Sequence, residues 1–178
     1  MRCKPIAVLV LVSASFYLYS QSIEKRNLTW NDFKGTPDMS SPHNAYTYWS
    51  VHYKYDTPQM AHDGTRYRFH VWNQLESRSW VKPSALAKPY QVILLAHEQG
   101  HYNLGLICAL RFNRIVADLT FSSNHQAEVA RIFSEVLEQV RSQERDYDRE
   151  TQHMNNRIKQ QEWDRRLAEQ INELSSSH

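Results

Sequence analysis

His97 and His101 stand four residues apart, and Glu98 directly follows the first of them, in the run His97-Glu98-Gln99-Gly100-His101. Residues four apart share one face of a helix, so both imidazoles can reach a single metal ion. Zinc takes neutral imidazole nitrogens at about 2.0–2.1 Å and, with only three protein ligands, keeps a fourth position open for water. The metal lowers that water's pKa to about 7, and a carboxylate placed like Glu98 takes its proton as it attacks a carbonyl. The same carboxylate can pass the proton to a leaving amine, which suits peptide hydrolysis. Val92 to Ala96 make the preceding turn apolar, which predicts a buried helix and argues against two surface histidines. Gly100 costs such a helix up to about 1 kcal/mol relative to Ala. It lets another backbone or a ligand approach closely.

Two histidines are too few for a catalytic zinc site. The metzincin pattern, with Gly three and His six residues after the second histidine, is excluded, because Leu104 and Ile107 hold those positions. Two candidates for the third ligand stay open. Glu128 would come from a following helix, and His153 from Asp148-Arg149-Glu150-Thr151-Gln152-His153. Asp148 and Thr151 are placed to orient a ligand by hydrogen bonds. Tyr147 has the spacing of a core residue, and His52 and His70 read as strand side chains.

These residues need elements to hold them. Tyr46–Tyr55 is rich in β-branched and aromatic residues and predicts a strand. Tyr67, Phe69 and Val71 alternate with Arg68, His70 and Trp72 and predict a second one. Asp56, Pro58, Asp63 and Gly64 supply turn chemistry between them, so the pair should form an antiparallel hairpin with a long loop. From Pro89 the pattern turns helical, and one buried helix should run through the histidine motif to about Asp118. After an N-cap region at Ser122–Asn124, a charged segment extends to about Leu174. Its apolar positions Val129, Phe133, Val136, Val140, Tyr147, Met154 and Ile158 mark one packed helical face, and Trp163, Leu167 and Ile171 take a new phase.

The chain's 178 residues suit one domain. Residues 1–20 read as a secretory signal peptide: Arg2 and Lys4, a short apolar run Ile6–Val12, then a stretch shared by small residues and aromatics before a cut near Ser20-Gln21. The run is too short to span a membrane, so no stable anchor should remain after cleavage. Residues 21–178 then form a single domain in a secreted or periplasmic protein. Of 21 Lys+Arg against 19 Asp+Glu, Arg2 and Lys4 belong to the signal, which leaves the mature chain formally neutral. That balance recommends neither nucleic acid nor an anionic membrane as a partner. Cys108 would be the only cysteine left, so no intramolecular disulfide can form.

Four stretches carry a likeness to a known family: Leu28-Thr29-Trp30-Asn31-Asp32-Phe33-Lys34-Gly35; Ser79-Trp80-Val81; the histidine motif; and Tyr147 to His153, with Gln160 and Trp163 beyond. Through them the chain resembles the bacterial family of predicted secreted zinc-dependent proteases catalogued as domain of unknown function 922. The resemblance implies His97, Glu98 and His101 in zincin roles and favours His153 as the third ligand. Where the family pattern has Gly after the later histidine, this chain has Met154, and Gly permits backbone angles that other residues avoid. The expectation is therefore an α+β, zincin-like metalloprotease domain holding Zn2+, with an active-site helix beneath a small antiparallel sheet. A long C-terminal helical segment should close the site, and a peptide or protein should be the substrate. The rival is a non-catalytic secreted module with a structural metal or none, which would have no use for a base at Glu98.

Overall fold

The centre of the molecule follows from one helix that is apolar on every side. In α2, Gln91–Ala117, the residues Leu104, Leu106, Ile107, Cys108, Ala109 and Phe112 cover all faces and are essentially shut off from solvent. Such a helix has to be surrounded by other elements. The structure is a computed structural model and describes residues 23, 25–62 and 64–176. The proposed signal segment, its cut near Gln21, and Asp63 of the expected turn lie outside the described residues. No helix among those described is long and apolar enough to cross a membrane.

One side of α2 is covered by an antiparallel pair, β2 (Trp49–Tyr55) and β5 (Phe69–Leu75), in register from Trp49↔Leu75 to Tyr55↔Phe69. The long connection between them folds into a small hairpin of its own, β3 (Gln59–Ala61) and β4 (Gly64–Arg66). The stretch expected as one strand from Tyr46 divides. Residues 45–46 form β1 (Ala45–Tyr46), which pairs instead with β6 (Trp80–Val81). The chain changes partner at Thr47-Tyr48, where Ser79 intervenes. Its buried hydroxyl accepts from Tyr48 N at 3.0 Å and donates to Tyr48 O at 3.1 Å. A short turn of helix, α1 (Pro83–Leu86), leads into α2.

The other side of α2 is covered by α3 (His125–Thr151) and α4 (Arg157–Ser175). The α3 seam is Val129, Ile132, Val136, Val140, Tyr147 and Thr151, and α4 adds Gln160, Trp163, Leu167 and Ile171. The change of phase read in the sequence is a true break between two helices. Gln152, His153 and Met154 have φ of 50°, 50° and 77°, all in the left-handed region. Met154 thus adopts the kind of angle that a Gly at this position would take freely. Asn156 restarts the chain as N-cap of α4, its side chain accepting from Lys159 N at 3.1 Å. Ile158 is a correction to the expected stripe: it falls after the break, in the first turn of α4, and is 72% exposed. The result is an α+β fold, with small antiparallel sheets and four α-helices among the described residues.

Candidate metal centre

The helical rise places His97 and His101 side by side on α2, facing the C-terminal half of α3. Their Nε2 atoms lie 3.3 Å apart. Asp148 of α3 brings Oδ1 to 3.3 Å from His97 Nε2 and 3.1 Å from His101 Nε2. Ligands at about 2.0–2.1 Å from a tetrahedral zinc are separated by about 3.3–3.4 Å, so this triangle is close to one face of such a tetrahedron. Asp148 Oδ1 is buried, and among the described residues the polar atoms that reach it are histidine nitrogens, His97 and His101 Nε2 and, at 3.4 Å, His153 Nδ1. A buried carboxylate oxygen whose polar neighbours are imidazole nitrogens, all of them able to act as ligands, fits a cation-binding group. Among the described residues, His97, His101 and Asp148 form a group able to hold a metal ion.

The far nitrogens of both rings are fixed. His97 Nδ1 donates to Gln160 Oε1 at 3.1 Å, and His101 Nδ1 donates to Glu144 Oε1 at 3.1 Å. Each partner accepts only, so each ring turns Nε2 towards Asp148. Gln160 is itself held, its amide donating to the Tyr147 hydroxyl and to Asp164 Oδ1, both at 2.8 Å. Tyr147 donates to the main-chain oxygen of His97 at 2.9 Å and lies parallel to the His97 ring. The close approach that Gly100 permits is made by this tyrosine: a Cβ at Gly100 would sit 2.2 Å from the Tyr147 hydroxyl.

Burial and neighbouring charge set the proton positions. Burial alone would push the His101 imidazolium down, but the Asp148 and Glu144 carboxylates outweigh it and push the pKa up to about 10. Burial would likewise raise the carboxyls of Asp148 and Glu144. For Asp148 the flanking His101 and His97 reverse this and hold it well below the usual range. For Glu144, His101 is the main cause of a lowering, with Trp49 and Arg141 assisting. Burial pushes the Tyr147 phenol well up, so it remains a donor. The one cysteine among the described residues, Cys108, is buried and free, and burial pushes its thiol up to about 12.

Glu98 is buried on the same helix and lines the same cleft of about 760 Å3 as the two histidines and Asp148. Thr47 donates to its Oε2 at 2.6 Å, which fixes the carboxylate from the opposite wall. Gln99 points the other way. Its side chain accepts from Leu28 N at 2.7 Å and donates to Arg26 O at 3.0 Å, tying the start of the fold to the motif helix.

His153 stands one step outside the group. Its Nδ1 is 3.4 Å from Asp148 Oδ1, its side chain is 54% exposed, and its ring packs edge-on against His43. The group able to hold a metal thus includes Asp148, while His153, which the resemblance favours, lies beside it. Glu128 is at the far end of α3, where its carboxylate accepts from Ser122 N and the Ser122 hydroxyl. Sequence reading did not find Thr47, Glu144 or Gln160 as partners of the motif. It gave Asp148 only a supporting part; the available signal was its place one helical turn after Glu144, on the face that also carries Tyr147 and Thr151.

Residues 21–154 match the model of a family described as bacterial protein of unknown function, DUF922. No curated protein and no solved structure matches the chain. The matched stretch holds the histidine motif and Asp148 and ends before α4, which supplies Gln160. The chain belongs to this bacterial family.

Proposed function

We propose that this chain is an exported, zinc-dependent hydrolase that cleaves peptide bonds, with His97, His101 and Asp148 as the metal ligands and Glu98 as the general base. The observation that carries the proposal is the triangle of two Nε2 atoms and one buried carboxylate oxygen, with a second carboxylate, Glu98, beside the histidines on α2. A zinc ion bound there supplies a Lewis acid that polarises a carbonyl and acidifies a water. Two imidazoles and one carboxylate are a known catalytic donor set for zinc, leaving one position open.

The chain's own residues then divide the work. Glu98 removes a proton from the attacking water and returns it to the departing nitrogen. Thr47, bonded to one Glu98 oxygen, leaves the other for that exchange. Glu144 and Gln160 keep both rings in the tautomer that presents Nε2. An extended substrate has a place to lie. Lys82 N donates to Asn44 O at 2.8 Å, so Asn44 and Tyr46 are the residues bonded to β6. By the alternation of an antiparallel ladder, Ala45 turns its N–H and C=O to the other edge of β1, which lines the cleft and has no strand beside it among the described residues. Such an edge recognises peptide backbone by strand addition.

The test is Glu98→Gln. Zinc content should stay near one per chain, while cleavage of a mixed peptide library falls by about 10²–10⁴. Unchanged cleavage would contradict the proposal, and loss of zinc together with activity would make Glu98 structural.

A further inference from the structure

Beyond the metal centre, the cleft carries three arginines, Arg78, Arg141 and Arg145, against the three carboxylates Glu98, Glu144 and Asp148. The carboxylates are already engaged. Asp148 faces the two imidazoles, Glu98 is held by Thr47, and Glu144 takes His101, the Trp49 indole at 2.8 Å and Arg141 at 2.6 Å. A divalent ion at the centre therefore leaves the cleft with surplus positive charge. Arg145 spends its charge on Glu138, an exposed pairing worth little. Arg78 pairs with no carboxylate among the described residues.

Arg78 is exposed but its backbone is not free to wander. Ser79 is fully buried and hooks both main-chain groups of Tyr48, and Gly35 N donates to Ser79 O at 2.8 Å. A Cβ at Gly35 would lie 2.2 Å from the Arg78 carbonyl oxygen, so only Gly lets the two segments press together. Two stretches that the metal centre leaves unexplained, the one ending at Gly35 and Ser79-Trp80-Val81, thus fix the loop bearing Arg78. Its guanidinium lies 4.2 Å from the Tyr48 ring centroid, and Tyr48 packs on Tyr46 at 4.4 Å. A guanidinium laid over a ring is positioned through its face and keeps its N–H fork for an acceptor in plane, the geometry that a carboxylate matches.

We infer that Arg78 is a specificity residue that binds a carboxylate of the substrate, so that the preferred peptide carries an acidic side chain or its own C-terminus at one fixed distance from the scissile bond. The inference rests on the peptidase reading, but binding alone can test it. The zinc-loaded Glu98→Gln protein would be titrated with fluorescent, amidated, alanine-based heptapeptides carrying one glutamate at successive positions, with their glutamine counterparts, and with one glutamine peptide ending in a free carboxylate. At one position glutamate should bind about ten- to a hundredfold more tightly than glutamine. Arg78→Gln should abolish that difference and leave the glutamine peptide unaffected, and Arg78→Glu should move the preference to lysine. A gain confined to the free-carboxylate peptide, again lost in Arg78→Gln, assigns the site to the chain end. Equal binding of glutamate and glutamine peptides at every position with no gain for the free carboxylate, a preference that survives Arg78→Gln, or no binding at all overturns the inference. Wild-type protein that binds zinc and cleaves peptides without acidic preference would sink this inference and leave the peptidase reading standing; protein without zinc or cleavage would sink that reading.

Discussion

Gly100→Ala puts the helix and the site in direct conflict. In an ordinary helix interior the change stabilises by about 1 kcal/mol, because Ala orders at a smaller entropic cost than Gly. Here the new methyl would lie 2.2 Å from the Tyr147 hydroxyl and 2.5 Å from the ring carbon bearing it, more than 1 Å inside normal contact. The tyrosine has nowhere to retreat, since it is fully buried, with His97 along one face and Trp163 edge-on at 5.5 Å. Moving it breaks its bonds to His97 O and from Gln160, at about 1 kcal/mol each and more if the buried partners stay unpaired. Overpacking adds about 1–3 kcal/mol. After the helix gain is subtracted, the expected loss is about 2–5 kcal/mol, read as a shift in urea midpoint at unchanged slope. Tyr147→Leu shortens the opposing side chain, so it should cost less in the Gly100→Ala background than in the wild type. A Gly100→Ala protein as stable as the parent, or more so, would refute the reasoning.

Gln160→Leu removes the acceptor for His97 Nδ1 with little change in volume and should lower zinc affinity about 10–100-fold; unchanged affinity in a chelator competition would contradict it. Because His101 is pushed up to about 10 in the metal-free site, zinc must displace a proton, so uptake at neutral pH should release about one proton and tighten as pH rises towards 10. Calorimetry in buffers of different ionisation enthalpy measures this, and a buffer-independent heat would count against it. The same shift runs the other way for the metal-free fold: a histidine pKa raised above about 6.5 adds stability that is complete below that value and lost as pH climbs towards 10.

The sequence carried the extent of the motif helix well, since α2 ends within a residue of the expected Asp118. The turn expected to be buried before the motif is so only at Leu94: Val92 is 72% exposed and Ala96 is exposed too, because this end of α2 projects past the sheet and α3. The β2–β5 pair was legible through alternation at Phe69 and Val71. What sequence could not show were matters of partner choice. The handover of the chain from β6 to β5 at Thr47-Tyr48 depends on the Ser79 hydroxyl, which has no periodicity to betray it. The break after Thr151 was visible only as a change of phase, since no Gly or Pro marks it and three non-Gly residues bear the left-handed angles. The different places of Asp148 and His153 have the same origin. Helical phase keeps Asp148 on the inner face of α3, whereas the left-handed turn swings His153 to the rim.

The most direct measurement is zinc titration of metal-free wild-type, Asp148→Asn and His153→Ala proteins against a competing chelator. A zinc site with four ligands is worth about 10–16 kcal/mol, so one ligand accounts for roughly 3–4 kcal/mol, or two to three orders of magnitude in affinity. Asp148→Asn should lose that much, whereas His153→Ala, with its side chain at the exposed rim, should stay within about tenfold of the wild type. Severe loss in His153→Ala with near-normal binding in Asp148→Asn would contradict the assignment of the metal to His97, His101 and Asp148.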